Sequence, residues 1–518
     1  MQRSIARRLV PYCSALLLLM AFELWGSSPL ADPDPAENGD NEVQLAPQGE
    51  LAPPAGARGL APRRAVFAGN AYLVGSPVTA TKTLPEAETN IVTNPANQAT
   101  LVGIITDYSL RSGNDSTNGV SKYAISNDHG MTWGQAFVPV SNKYPITSDG
   151  IQWLVDRDPG VAIDLAGNIY FSGLYLKLAP AHSSAGHPSI ARATTPGGVY
   201  VCAGTLPVPR LTSASCRPIV TDTSLQPTTS VDRDWMAVDA SNSPYSGNVY
   251  VSWTYYTGCA NGTCATKYIA LSRSTDHGVT WSTPVQVNTS AQTIVDWSMV
   301  TVGSDGTVYV AYEVYFTTNA QRMHYVATST DGGVTFGAPI AMTPLFSNVE
   351  FPCAYRKNSA PNIVVSSVSG AEYVYDVYAG QGSGGASTSN IYVVRSTLPR
   401  GAGGFTSPVI INDSTTGERE YAAAALDAGG TLHTLWLDTR NSPQDDSQYD
   451  VYATYSQDGG VTFAPNARVT PSLINGNTSF IGDFFGITAE PTAGVAHAVW
   501  SNGGLLGGQM QTATLTPQ

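Results

Sequence analysis

The stretch that decides the fold is Ser274-Thr275-Asp276-His277-Gly278-Val279-Thr280-Trp281. It reads S-x-D-x-G-x-T-aromatic, and copies recur over residues 126–133, 329–336 and 456–463. In such a turn the Asp side chain accepts hydrogen bonds from backbone N–H groups just ahead of it. The Gly takes a positive φ, and the Thr and the aromatic residue open a strand. The stretch therefore reads as a hairpin staple and not as a reactive site. Four copies in one chain make an internal repeat.

Working outward, the chain divides into units that open on an acid. Asp158, Asp234, Asp296, Glu420 and Asp483 each lead a short apolar strand, a Gly turn and a second β-rich strand. Glu88 and Glu350 open two looser units, which brings the number to seven. Ser274 and Ser329 stand one period of 55 residues apart, and the other gaps are about two periods. The missing copies fall near residues 197–216 and 398–405. Such a repeat predicts an all-β protein.

Composition agrees. Only 13% of the 518 residues are charged, while the chain holds 50 Gly, 34 Pro and 26 Tyr. That balance suits strands and turns better than helices. A formal charge of −13 disfavours nucleic acid and anionic membrane surfaces as partners. Residues 1–31 have the basic start, apolar centre and small-residue end of a secretory signal. Residues 32–65, rich in Pro, Ala and Gly, are expected to be a disordered linker, and 66–518 the folded domain. Residues 70–74 and 77–81 read as an outer strand that closes the C-terminal unit. Cys202 with Cys216, and Cys259 with Cys264, bracket short loops and form plausible disulfides. Cys353 is left over. Local disulfides fit an oxidising compartment, so the chain is expected to be secreted or periplasmic. No Cys/His spacing suggests zinc.

The repeated motif resembles the Asp-box, or BNR repeat, of the sialidase superfamily of β-propellers. The resemblance covers most of the chain after about Glu86. It implies a single β-propeller of four-stranded blades, seven by the unit count with six as the alternative. Asp128, Asp276, Asp331 and Asp458 would then be structural, on the face opposite the site. The acids that open the blades and the loops between second and third strands would lie on the functional face.

Acid-Arg-acid triplets open three units: 156–158, 232–234 and 418–420. They read either as ion-paired staples between blades or as groups converging on a ligand. Strand alternation would send the two acids one way and the Arg the other. A sialidase-like site needs Arg forks for the sugar carboxylate, a Tyr nucleophile and an Asp acid/base. By resemblance, the substrate-binding candidates are Arg157, Arg233, Arg356, Arg419 and Arg440. The catalytic candidates are Asp158, Asp234, Glu420, Tyr421 and Asp483. The early Arg motif of that family is missing, since no Arg lies between Arg64 and Arg111.

Trp235, Trp297, Tyr421 and Phe484, which follow the opening acids, read as blade packing with sugar stacking as the alternative. His433 and His497 read as packing residues. No cofactor is required. The acidic loop 438–450, with Asp438, Asp445, Asp446 and Asp450, reads as a solvated turn, with a structural calcium as the alternative. The expected protein is a monomeric, secreted, sialidase-like glycoside hydrolase acting on terminal sugars of extracellular glycans. The alternatives are a non-catalytic propeller that binds a glycan or protein, and a polysaccharide lyase using Tyr or His as base.

Overall fold

The structure is a computed structural model. It describes residues 44–45, 51–54, 57, 61–82, 86–108, 119–138, 153–178, 193–207, 211–212, 215–221, 228–260, 263–316, 321–349, 357–368, 371–381, 388–443, 447–476, 481–492, 494–503 and 508–518. Loop tips expected on the functional face, the residues Glu350, Cys353 and Arg356, and the leader lie outside that set.

Seven antiparallel sheets follow one another along the chain and make a seven-bladed propeller. Blade 1 starts with Glu86–Thr93, blade 2 with Trp153–Ile163, blade 3 with Thr229–Val238 and blade 4 with Val295–Val302. Blade 5 starts with Asn362–Val368, blade 6 with Arg419–Leu426 and blade 7 with Gly486–Ala489. These first strands line the central channel. No described helix is long and apolar enough to cross a membrane.

The Asp-boxes join third and fourth strands in blades 1, 3, 4 and 6. In blade 3 the Ser274 hydroxyl donates to Asp276 Oδ1 at 2.8 Å, and the Thr280 N–H donates to the same oxygen at 2.8 Å. The Thr280 hydroxyl donates to Oδ2 at 2.6 Å. The other boxes repeat this network. Gly278 sits at φ 83°, as the turn requires. Each box also grips the preceding blade. His277 lies 3.2 Å from the Tyr170 hydroxyl of blade 2, and His129 lies 2.7 Å from Glu490 of blade 7. Arg395 of blade 5 donates to the Gly459 carbonyl at 3.0 Å.

Closure comes from the N-terminal side of the chain. Leu73–Val74 and Val78–Thr79 pair antiparallel with Met510–Thr516 of blade 7, as the sequence suggested. The preceding residues depart from the expected linker. Gln44–Leu45 pairs with Thr263–Cys264 at blade 3, and Leu51 and Ala57 pack on the core shared by blades 3 and 4. Arg63–Arg64 adds a parallel strand to Val409–Ile410 of blade 5, and Val66–Phe67 pairs with Thr462–Phe463 at blade 6. The described residues of this segment thus lie along successive outer edges. Backbone N–H and C=O groups suffice for such pairing, so it needs no apolar period and covers edges otherwise open to association. Cys202–Cys216 and Cys259–Cys264 are disulfides. His433 and His497 are buried inside their blades, 2.8 Å from the Tyr72 hydroxyl and from Glu490 respectively.

Candidate functional site

The end of the channel opposite the Asp-boxes is shaped by one repeated irregularity. Pairing between first and second strands breaks at Ala87/Asn90, Asp156/Gly160, Asp232/Trp235, Asp296/Met299 and Glu420/Ala423. Each break is a β-bulge, which inserts residues and re-aims the side chains it carries. A residue other than Gly takes positive φ in every one: Glu88 at 62°, Arg157 at 61°, Arg233 at 54°, Trp297 at 52° and Tyr421 at 52°. Such conformations are costly and persist only where the surroundings fix them. Five at equivalent places mark this rim as a built feature.

The bulges correct two expectations. Strict alternation does not hold across residues 232–234, where Arg233 and Asp234 line the same cavity. Nor are the three acid-Arg-acid triplets equivalent. Asp156, Asp232, Asp296 and Glu420 are the counterparts, each standing just before its bulge. Arg419 therefore falls one residue before the position of Asp156 and Asp232, within regular pairing opposite Asp438. Blade 5 pairs without a bulge from Asn362 onward, and Asn358 and Pro361 occupy its rim.

A cavity lies inside the rim. Asp158, Asp234, Asp483, Arg233 and Tyr421 line it, as do Trp235, Trp297 and Phe484. The aromatic residues expected to be blade packing thus face the cavity, with the Trp235 and Phe484 rings meeting edge-on at 5.7 Å. The Arg233 guanidinium lies 3.9 Å from the Trp297 ring and 3.0 Å from Asp296. A wider space is walled by the remaining first-strand residues.

The carboxylates of Glu88, Asp158 and Asp483 are buried and lie within 4.8 Å of one another. The Thr106 hydroxyl donates to Glu88 at 2.7 Å, and the Arg233 N–H to Asp158 at 3.0 Å. Burial and the Asp483 charge push Glu88 up to about 7. Burial and the neighbouring acids push Asp158 well above the carboxylate range, and burial does the same to Asp234. Asp296 goes the other way. Burial would raise it, but Lys267, Arg233 and Thr254 outweigh that and hold it low. Glu88, Asp296 and the bulge geometry were beyond the catalytic candidates drawn from sequence. The only sequence signal for them was their place as opening acids.

The remaining candidates are placed elsewhere. Glu420 is buried just before the blade 6 bulge. The Tyr421 hydroxyl donates to the Gly482 carbonyl at 2.8 Å. Arg157 sits in the blade 2 bulge, close enough to lower Glu88. Arg419 is fully buried and donates to Asp438 and to the Gly417 carbonyl at 3.3 and 2.6 Å. Arg440 reaches Asp413 at 2.6 Å and Asp438 at 2.7 Å, and covers the Tyr452 ring. Both are staples of blade 6 and stand outside the cavity lining. In the acidic loop, Asp438 is held by these two Arg, and Asp450 by Arg468 and Thr470 at 2.7 Å each. Asp445 and Asp446 lie outside the described residues.

No family model matches the chain, and no curated protein matches it. Solved structures do. A Hadza microbial sialidase, Hz136, is 14% identical with a TM-score of 0.42, over 88% of this chain and 98% of that one. A leech intramolecular trans-sialidase is 11% identical with a TM-score of 0.45, over 80% and 70%. A Penicillium chrysogenum α-L-arabinanase is 12% identical with a TM-score of 0.34, over 52% and 90%. At that similarity the matches do not extend to a site or an activity.

Proposed function

We propose that the protein is a secreted, sialidase-like glycoside hydrolase that acts on terminal sugars of extracellular glycans. One observation carries this reading: the cavity at the bulged rim joins aromatic walls, an Arg, a Tyr and converging carboxylates. Aromatic faces suit sugar rings, carboxyl groups suit acid/base work on a glycosidic bond, and a guanidinium suits an acidic sugar. In this reading Arg233 orients the substrate, and Arg157 acts on the neighbouring Glu88. Tyr421 and Asp234 face the bond to be cleaved.

A second reading, a glycan-binding propeller without catalysis, is favoured by the Tyr421 hydroxyl being tied to a backbone carbonyl. It is also favoured by the structural use of Arg419 and Arg440. The lyase reading loses ground, since no described His lines the cavity.

The test is hydrolysis of a panel of fluorogenic glycosides, a sialoside included, by the mature chain and by Arg157→Ala, Arg233→Ala and Arg440→Ala. The expected outcome is release by the parent that falls at least about 100-fold in Arg233→Ala. Arg440→Ala should lower stability and leave the activity of the folded fraction largely intact. No release from any member of the panel, together with retention on a glycan array, would replace the hydrolase with the binding module.

A further inference from the structure

We infer that Glu88, Asp158 and Asp483 form a calcium site that ties blades 1, 2 and 7 together across the seam where the ring closes. It goes beyond the hydrolase reading and does not depend on it.

The geometry is that of a hard-cation site. Three carboxylates from three blades present oxygens that all lie within 4.8 Å of one another. Calcium binds oxygens at about 2.3–2.6 Å, so oxygens on opposite sides of one ion stand about 4.6–5.2 Å apart. Magnesium needs a tighter, more regular shell and keeps several waters, which a buried all-carboxylate cluster does not favour. Each carboxylate has room for about four acceptor contacts. The Thr106 hydroxyl donates to Glu88 and the Arg233 N–H to Asp158, and the Asp158 N–H and Arg157 also act on Glu88.

A cluster of acids is often no more than that. Here a separate observation points to a ligand. Asp234 is 3% exposed, lines the same cavity as Asp158 and Asp483, and neither of its carboxylate oxygens has a hydrogen-bond partner. The Ser172 hydroxyl is near enough to be felt by Asp234, but no hydrogen bond is completed between them. A buried carboxylate without donors is costly unless something positive faces it. The nearby Arg233 guanidinium lies 3.0 Å from Asp296 and over the Trp297 ring. Arg157 already lies close enough to lower Glu88, and a divalent ion beside Asp234 would supply the positive charge that its own carboxylate lacks.

The location gives the ion a task. Blade 7 is completed by N-terminal strands, and blade 1 follows it around the ring. Glu88 and Asp483 stand on either side of that junction. A shared ion would strengthen closure where the two ends of the chain meet.

Calorimetric titration of the mature, EDTA-treated chain with calcium chloride tests this, with thermal melting in parallel. The expected result is one site with Kd of about 10⁻⁴–10⁻³ M, as in extracellular calcium modules, and a raised melting midpoint. Glu88→Gln should weaken binding at least about tenfold, and Asp234→Asn by a smaller factor. A double Asp445→Asn, Asp446→Asn variant should bind as the parent does. Absence of heat and of a melting shift at about 10 mM calcium overturns the site. So does loss of binding in the 445/446 variant with retention in Glu88→Gln. An equal melting shift with magnesium overturns the assignment to calcium. If Glu88→Gln does not fold, unchanged affinity in Asp234→Asn overturns the cluster as the site.

Discussion

The two ends of the propeller treat aspartate in opposite ways. On the Asp-box face, each carboxylate is wrapped by a Ser hydroxyl, a Thr hydroxyl and backbone N–H groups, and is held well below the usual range. Asp128 and Asp276 are both lowered to about 2. At the bulged rim, carboxylates are buried against one another and pushed upward, as for Glu88, Asp158 and Asp234. The difference lies in the donors each fold segment brings. A tight turn supplies its own, whereas a rim assembled from separate blades supplies acids faster than it supplies partners. Burial that is fully compensated reads as architecture, and burial that is not marks a place prepared for something else.

The sharpest way to break that contrast is at Asp296, the rim acid that behaves like a box acid. It receives Thr254 at 2.6 Å, Lys267 at 2.9 Å and Arg233 at 3.0 Å. Asp296→Ala removes the nearest acid from two largely buried cations, Arg233 and Lys267. It should cost about 3–5 kcal/mol in urea unfolding. A loss below about 1 kcal/mol would show that Asp296 is not the anchor of this corner.

Next in size is a pair of matched substitutions. Asp276→Asn removes acceptors from a compensated turn and should cost about 1–3 kcal/mol. Asp234→Asn removes a charge from a crowded rim. In calcium-free buffer its unfolding midpoint should stay level or rise. A fall at Asp234 as large as that at Asp276 would erase the distinction between the two faces.

How much of this was legible follows the same division. The Asp-box could be read in full because its network is local. Ser274, Asp276 and Thr280 lie within seven consecutive residues and make the turn among themselves. The repeat then gave seven blades, and the pairing of 73–74 and 78–79 with blade 7 followed from strand-like composition. The rim could not be read that way. Glu88, Asp158 and Asp483 meet only after the ring closes, and nothing in an eight-residue window reports a neighbour nearly four hundred positions away. The bulges hid the register as well: the repeated acid-Arg-acid triplet aligned Arg419 with Arg157 and Arg233, whereas the observed register puts Glu420 at the position of Asp156 and Asp232, and Tyr421 at that of the two Arg. The paired residues 44–45, 63–64 and 66–67 escaped for another reason. Edge pairing through the backbone leaves no side-chain pattern to find.

The smallest expected effect concerns acid. Because Asp128 and Asp276 have folded pKa values of about 2, below their ordinary 3.8, the native state binds fewer protons than the unfolded chain between those values. Their contribution is therefore whole above about pH 4 and fades as pH falls through about 2. These groups are largely solvent-facing, so screening keeps each contribution small. The useful reading is a difference. The gap in urea midpoint between the parent and Asp276→Asn should be widest from about pH 5 to 7 and should narrow steadily toward pH 2, as protonation removes from the parent what the substitution has already removed. A gap of constant width down to pH 2 would mean that the box depends on the shape of the side chain and not on its charge. The contrast between the two faces would then rest on the rim alone.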